Sequence, residues 1–150
     1  MDVFFSIVTN YVLICSIIAW FAAQVIKCIT FVVKHHRFDF RMLVSSGGMP
    51  SSHSAIVTSM MTATAKVCGA GSPEFAIALI FSFVVMYDAC GVRRAAGEQA
   101  KVLNRIVDDI GKGETKYLDK NLKELIGHTP IQVFAGAAFG IAVALLIPVF

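Results

Sequence analysis

The sequence predicts an all-α membrane protein. The expected architecture is a polytopic helical bundle of about four transmembrane helices plus an amphipathic surface helix. Three observations carry this expectation. The 150 residues are 57% hydrophobic, with a mean hydropathy of +0.73. Only 15% are charged, against about 25% in an ordinary soluble domain. The basic residues also cluster between the apolar stretches instead of spreading along the chain. This composition excludes disorder, which needs few apolar residues. Cys15, Cys28, Cys68 and Cys90 show no close spacing, so a small disulfide scaffold is not expected. The length fits one domain over residues 1–150.

The first expected span runs from Val3 to Ile26 and carries no charge. It lacks the basic start of a signal peptide and is long enough to cross a bilayer. The second, Ser54 to Val67, is rich in Ser, Thr and Ala and has Lys66 near its end. Such a helix suits the inside of a bundle, where small residues allow close approach. The third starts at Ser72-Pro73-Glu74, with Ser as N-cap and Pro at the first helical position, and continues to Tyr87. The fourth starts at Thr129-Pro130 and runs to Phe150.

The charges sort by loop. Lys27, Lys34, Arg37 and Arg41 fall in the first loop. Arg93, Arg94, Lys101, Arg105, Lys112, Lys116, Lys120 and Lys123 fall in the third. Lys66 is the exception. With four spans these two loops share a side, and the positive-inside rule makes it the cytoplasmic one, with both termini opposite. Within the third loop, Ala96, Ala100, Leu103, Val107 and Ile110 recur at helical spacing, which predicts an amphipathic helix over Arg93–Ile110. A shorter helix is expected over Tyr117–Ile126, after the Gly111-Lys-Gly113 break. Both suit the membrane surface.

His35, His36, His53 and His128 all fall on the basic face. None has zinc-like spacing with another ligand, so no metal is expected. Cys90 lacks the arginine that a C-x5-R phosphatase loop needs, because position 96 is Ala96. The informative segment is Gly47-Gly48-Met49-Pro50-Ser51-Ser52-His53-Ser54. A turn followed by an N-cap explains its serines. Exposed N–H groups and hydroxyls at a helix start also make an anion site, where a histidine can donate a proton to a leaving oxygen. Both readings stand. Lys34 and Arg41, ahead of this turn, suit phosphate recognition or simply topology. His128 precedes Thr129 and Gln132, which have capping-box spacing. Asp88 ends the third span beside Arg93 and Arg94, where an acid is costly unless paired.

Taken together, these segments resemble the divergent branch of the type 2 phosphatidic acid phosphatase superfamily, which also includes vanadium-dependent haloperoxidases. The similarity covers nearly the whole chain. It is strongest over Gly47–Ser54, over Tyr87–Gln99 and over Gly127–Gly136. Superfamily members carry K-x6-R-P, then P-S-G-H, then S-R-x5-H-x3-D. The resemblance implies an all-helical, metal-independent and cofactor-free phosphatase that acts on a lipid phosphate through a phosphohistidine. Lys34 and Arg41 match the first motif, with Met42 at its proline. Pro50-Ser51-Ser52-His53 matches the second, with Ser52 at its glycine. His53 would then protonate the leaving alcohol and His128 would be the nucleophile. Arg93, or Arg94, stands for the displaced arginine of the third motif. Gln132 replaces the aspartate that orients the nucleophile, and Asp88 is the candidate to act in its stead. The implied partners are the membrane and a lipid-phosphate substrate, not nucleic acid. A homo-oligomer stays open, because Ala63–Ala65 and Gly136-x3-Gly140 can pack within or between chains. The runner-up is a non-catalytic relative that binds anionic lipid phosphate or a membrane partner.

Overall fold

A computed structural model describes residues 3–36, 48–111 and 128–150, except for the side chains of residues 34, 35, 93, 94 and 107–111. Among the described residues every regular element is a helix. These are α1 (Val3–Val8), α2 (Tyr11–His35), α3 (Ser52–Cys68), α4 (Pro73–Cys90), α5 (Val92–Gly111) and α6 (Pro130–Leu146). Arg37, Arg41 and the expected helix over Tyr117–Ile126 lie outside the described residues.

The first apolar run is not one helix. Thr9 and Asn10 interrupt it, and the Asn10 side chain accepts the Leu13 N–H at 3.1 Å. Asn competes locally for backbone donors and so starts a helix better than it continues one. The long helix therefore begins at Tyr11 and runs on past Ile26 to His35. It closes on His36, whose φ of 51° is the left-handed cap conformation.

Tyr11, Cys15, Ala19, Ala23 and Lys27 recur at every fourth residue of α2, and all five are buried. This stripe is a helix ridge, and it packs onto α3. Ser59 Oγ donates to the Cys15 carbonyl at 3.0 Å. Lys27, expected in the first loop, thus belongs to the body of α2.

α3 is the central helix and touches α2, α4 and α6. Its small polar residues make close approach possible. Ser82 of α4 donates to the Val57 carbonyl at 2.9 Å, and α4 runs back along α3 after the turn at Gly69–Gly71. On the opposite side, Thr58 Oγ1 donates to the Ala137 carbonyl at 3.0 Å. α6 lies parallel to α3, because Gly136 abuts Ser51 while Gly140 abuts Ala55 and Thr58. A Cβ at either glycine would collide with backbone carbonyls of α3. Gly136-x3-Gly140 is therefore a packing seam within the chain.

Expected caps are present. Ser72 accepts the Phe75 N–H at 3.1 Å, with Pro73 opening α4. Thr129 and Gln132 form a full capping box. The amphipathic helix expected over Arg93–Ile110 is α5, but its buried line is Gly97, Ala100 and Asn104, while Leu103 is 48% exposed.

Far from the histidines, Tyr11 and Lys66 close the other end of the bundle. Lys66 Nζ donates to the carbonyls of Ala144 at 2.9 Å and Ile147 at 2.6 Å. Tyr11 Oη donates to the Ile147 carbonyl at 2.7 Å, and the Lys66 ammonium lies 5.3 Å from the Tyr11 ring centroid. The last carbonyls of a helix have no intrahelical donor and carry negative partial charge, so a cation belongs there. That explains the basic residue that the sequence reading left outside the two basic loops.

The apolar surface is turned outward. The buried hydrophobic residues are mostly alanines, whereas Trp20, Phe21, Ile77, Ile80, Phe81, Phe83, Val84 and Phe134 are exposed. Water-facing surfaces rarely carry so large an apolar area, and a lipid-facing one does. Two stretches are long and apolar enough to cross a membrane. They are Tyr11–Val33 and the stretch that starts at Pro73, with mean hydropathies of 2.2 and 2.1 over their most apolar 18 residues. α6 is apolar but only 17 residues long, and α3 is also 17 residues.

Candidate functional site

At the end of the bundle opposite Lys66, the N-termini of α3 and α6 meet the C-terminal half of α2. Ser51 caps α3. Its Oγ accepts the Ser54 N–H at 3.3 Å and the Ser54 hydroxyl at 3.1 Å. Its own N–H donates to the Gln132 carbonyl at 3.1 Å, which ties the start of α3 to the first turn of α6. The absence of a Cβ at Gly136 is what lets Ser51 come so close.

His128, just ahead of the α6 cap, is buried at 4% exposure. Its Nδ1 lies 3.3 Å from Gln132 Oε1. The same oxygen accepts the Thr129 N–H at 3.0 Å, as the capping box requires. That backbone donor identifies the facing atom as the amide oxygen, and an amide oxygen only accepts. Nδ1 therefore carries the proton. In the neutral ring, Nε2 then holds the lone pair. The histidine's tautomer thus follows from the way the helix is capped.

His53, in the first turn of α3, is half-buried, and its ring centroid is 6.4 Å from that of His128. Ser51 and Ser52, at 0% and 2% exposure, adjoin this pair. Lys27 enters from α2 and donates from Nζ to Ser52 Oγ at 3.0 Å. The structure thus brings together Ser51, Ser52, His53, His128 and Gln132, and adds Lys27, to which the sequence reading gave no part in the site. The missed signal was spacing: Lys27 continues the stripe of Ala19 and Ala23, whose small side chains marked a packed face.

Asp88 is half-buried in the last turn of α4, and α4 reaches this same end because it runs antiparallel to α3. Lys34 stands on the last turn of α2 and Arg93 and Arg94 on the first turn of α5, with side chains outside the described part. Arg41 lies outside it altogether. Among the described residues no three His, Cys, Asp or Glu side chains gather as a metal site requires. A shallow groove on α5, lined by Glu98, Gln99, Val102 and Leu103, shares no residue with the cluster.

The fold and its polar end define a class: an all-helical, membrane-associated protein with a histidine-bearing junction of two helix N-termini. The chain belongs to the Divergent PAP2 family, whose profile matches residues 8–143. It is similar to the uncharacterised membrane protein YuiD of Bacillus subtilis (strain 168), with 44% identity over 156 aligned positions. That match covers 97% of this chain and 98% of the relative. No solved structure matches the chain significantly.

Proposed function

We propose that this protein is a multi-pass membrane phosphatase or phosphotransferase that acts on a lipid phosphate without a metal. The observation that carries the reading is the facing pair His53 and His128 across the start of α3. Two imidazoles within reach of one phosphoryl group supply a nucleophile and a general acid. In the first step His128 Nε2 attacks phosphorus, a P–N bond forms and the P–O bond to the lipid breaks. His53 gives its proton to the leaving alcohol. In the second step His53 takes a proton from water, whose oxygen displaces His128 and releases phosphate. Gln132 holds the Nδ1 proton throughout. Ser51, Ser52 and the α3 N-terminus bind the phosphoryl oxygens, aided by Lys34, Arg41, Arg93 and Arg94. Asp88, at the same end of the bundle, is the carboxylate that would act in place of the aspartate that Gln132 replaces. Kinship with the vanadium-dependent haloperoxidases is part of the same proposal.

In this reading α2, α3, α4 and α6 cross the bilayer, with the histidine end cytoplasmic and both termini opposite. The antiparallel course of α2, α3 and α4 supports it, as does the outward-facing apolar surface. The test is phosphate release from short-chain phosphatidate and a polyprenyl phosphate by the full chain in detergent. His128→Ala and His53→Ala should each lose it, by about 10²-fold or more for the general acid. Undiminished release in both variants overturns the mechanism.

Gln132 favours a second reading. A neutral amide orients a ring but cannot stabilise an imidazolium as a carboxylate does. A non-catalytic relative would bind lipid phosphate saturably without turnover. A labelled phosphohistidine on His128 decides against it.

A further inference from the structure

Lys27 is 1% exposed, although it carries one of the side chains most costly to bury. The four-residue spacing from Tyr11 leaves it no solvent-facing side of α2. Its described partner is the neutral Ser52 hydroxyl at 3.0 Å, and among the described residues no carboxylate pairs with it. An ammonium has three donors, so two more bonds are available. Because Ser52 Oγ accepts from Lys27, its own O–H is left to donate elsewhere. The Ser52 backbone N–H heads α3, where the helix gives it no acceptor and the dipole adds positive charge. A buried cation, a hydroxyl donor and a helix N-terminus therefore converge, and the cation has no carboxylate partner among the described residues.

We infer that Lys27 is a phosphate-binding residue of this site, its ammonium and the Ser52 hydroxyl together holding the phosphate group of a phosphomonoester at the start of α3. The inference rests on the phosphate reading proposed above, and it adds a cation that the superfamily motifs, as matched on this chain, leave out. Lys27 contacts α3 directly, whereas Lys34 stands two turns further along α2. Its partner Ser52 is one residue from the Ser51 cap that is tied to α6.

The experiment measures binding of inorganic phosphate, and in a second arm of short-chain phosphatidate, to the full chain in detergent. The variants are Lys27→Gln and Lys27→Met, each checked for folding by thermal unfolding. Gln keeps an N–H donor, one bond shorter, and removes the charge, so the thermal-unfolding check separates a structural loss from a loss of binding. We expect phosphate binding to weaken at least tenfold in Lys27→Gln, with the fold retained. A loss in both arms identifies the bare phosphate group as what Lys27 reads. A loss confined to the phosphatidate arm identifies the lipid monoester. Wild-type binding in Lys27→Gln overturns the role of Lys27 and leaves the phosphate reading intact. No binding of either ligand by the wild type overturns both. Should Lys27→Met fail to fold, the Gln variant alone decides.

Discussion

Nδ1 of His128 lies 3.3 Å from Oε1 of Gln132, the oxygen that also accepts the Thr129 N–H. One amide therefore caps α6 and sets the tautomer of the histidine in front of it. Local helix chemistry and candidate site chemistry share an atom, so they can be separated by substitution.

Gln132→Glu keeps the capping box, since Glu serves at that position as well as Gln. It turns a neutral hydrogen bond to His128 into a charge-assisted one, about twice as strong. Phosphate release should rise, roughly tenfold for about 1.4 kcal/mol of added stabilisation of the imidazolium. Gln132→Ala should abolish release and also lower the thermal stability through the lost cap. A rate unchanged in both variants would remove Gln132 from the mechanism.

Thr129→Ala supplies the control. It removes the cap hydroxyl, which accepts the Gln132 N–H at 3.4 Å, but leaves the Gln132 side chain free to face His128. Losing a Thr cap costs about 1 kcal/mol. The unfolding midpoint should fall while phosphate release at a permissive temperature drops far less than in Gln132→Ala.

The glycine seam gives a graded pair. Gly140→Ala pushes a methyl group into the Ala55 carbonyl and the Thr58 hydroxyl, one turn deeper than the site. Overpacking of this kind costs about 1–3 kcal/mol. Gly136→Ala collides with the Ser51 backbone itself, so it should also displace the α3 cap. Thermal unfolding should report both, and phosphate binding should fall further in Gly136→Ala.

At the far end, Lys66→Met strips a donor from the carbonyls of Ala144 and Ile147. The carbonyls keep their Tyr11 donor, so the loss is that of hydrogen bonds to a charged group, about 1.5–3 kcal/mol. Stability should drop by that order, and Tyr11→Phe should couple to it in a double-mutant cycle because both donate to Ile147. Phosphate release should be unaffected.

Orientation is testable with a native thiol. Cys68 is exposed at the end of α3, beside the Gly69–Gly71 turn. If that turn faces away from the cytoplasm, a membrane-impermeant maleimide added to intact cells should label it. Labelling only after the membrane is opened would reverse the proposed orientation.

Several features were legible in the sequence because they are local. The Ser72-Pro73 start, the Thr129–Gln132 box and the Ser51 cap each depend on a few neighbouring residues and their backbone donors. The apolar stretches and the amphipathic α5 were legible for the same reason. Asn10 was legible in principle, but the charge-free run around it hid the break.

Depth and partnership were not local. Lys27 and Lys66 look alike in the sequence, each a basic residue beside an apolar run. One is drawn under α3 by the stripe it shares with Ala19 and Ala23, and the other caps the end of α6. Likewise, Gly136 and Gly140 announced a close helix contact without naming the partner. Helix starts, helix ends and apolar length follow from the chain's own backbone chemistry, so the sequence alone determined them. Which lysine meets Ser52, which helix lies against the glycines and which two histidines face each other depend on how separate helices pack. Only the tertiary structure decided these, because such contacts join residues far apart in the chain and no local preference encodes them.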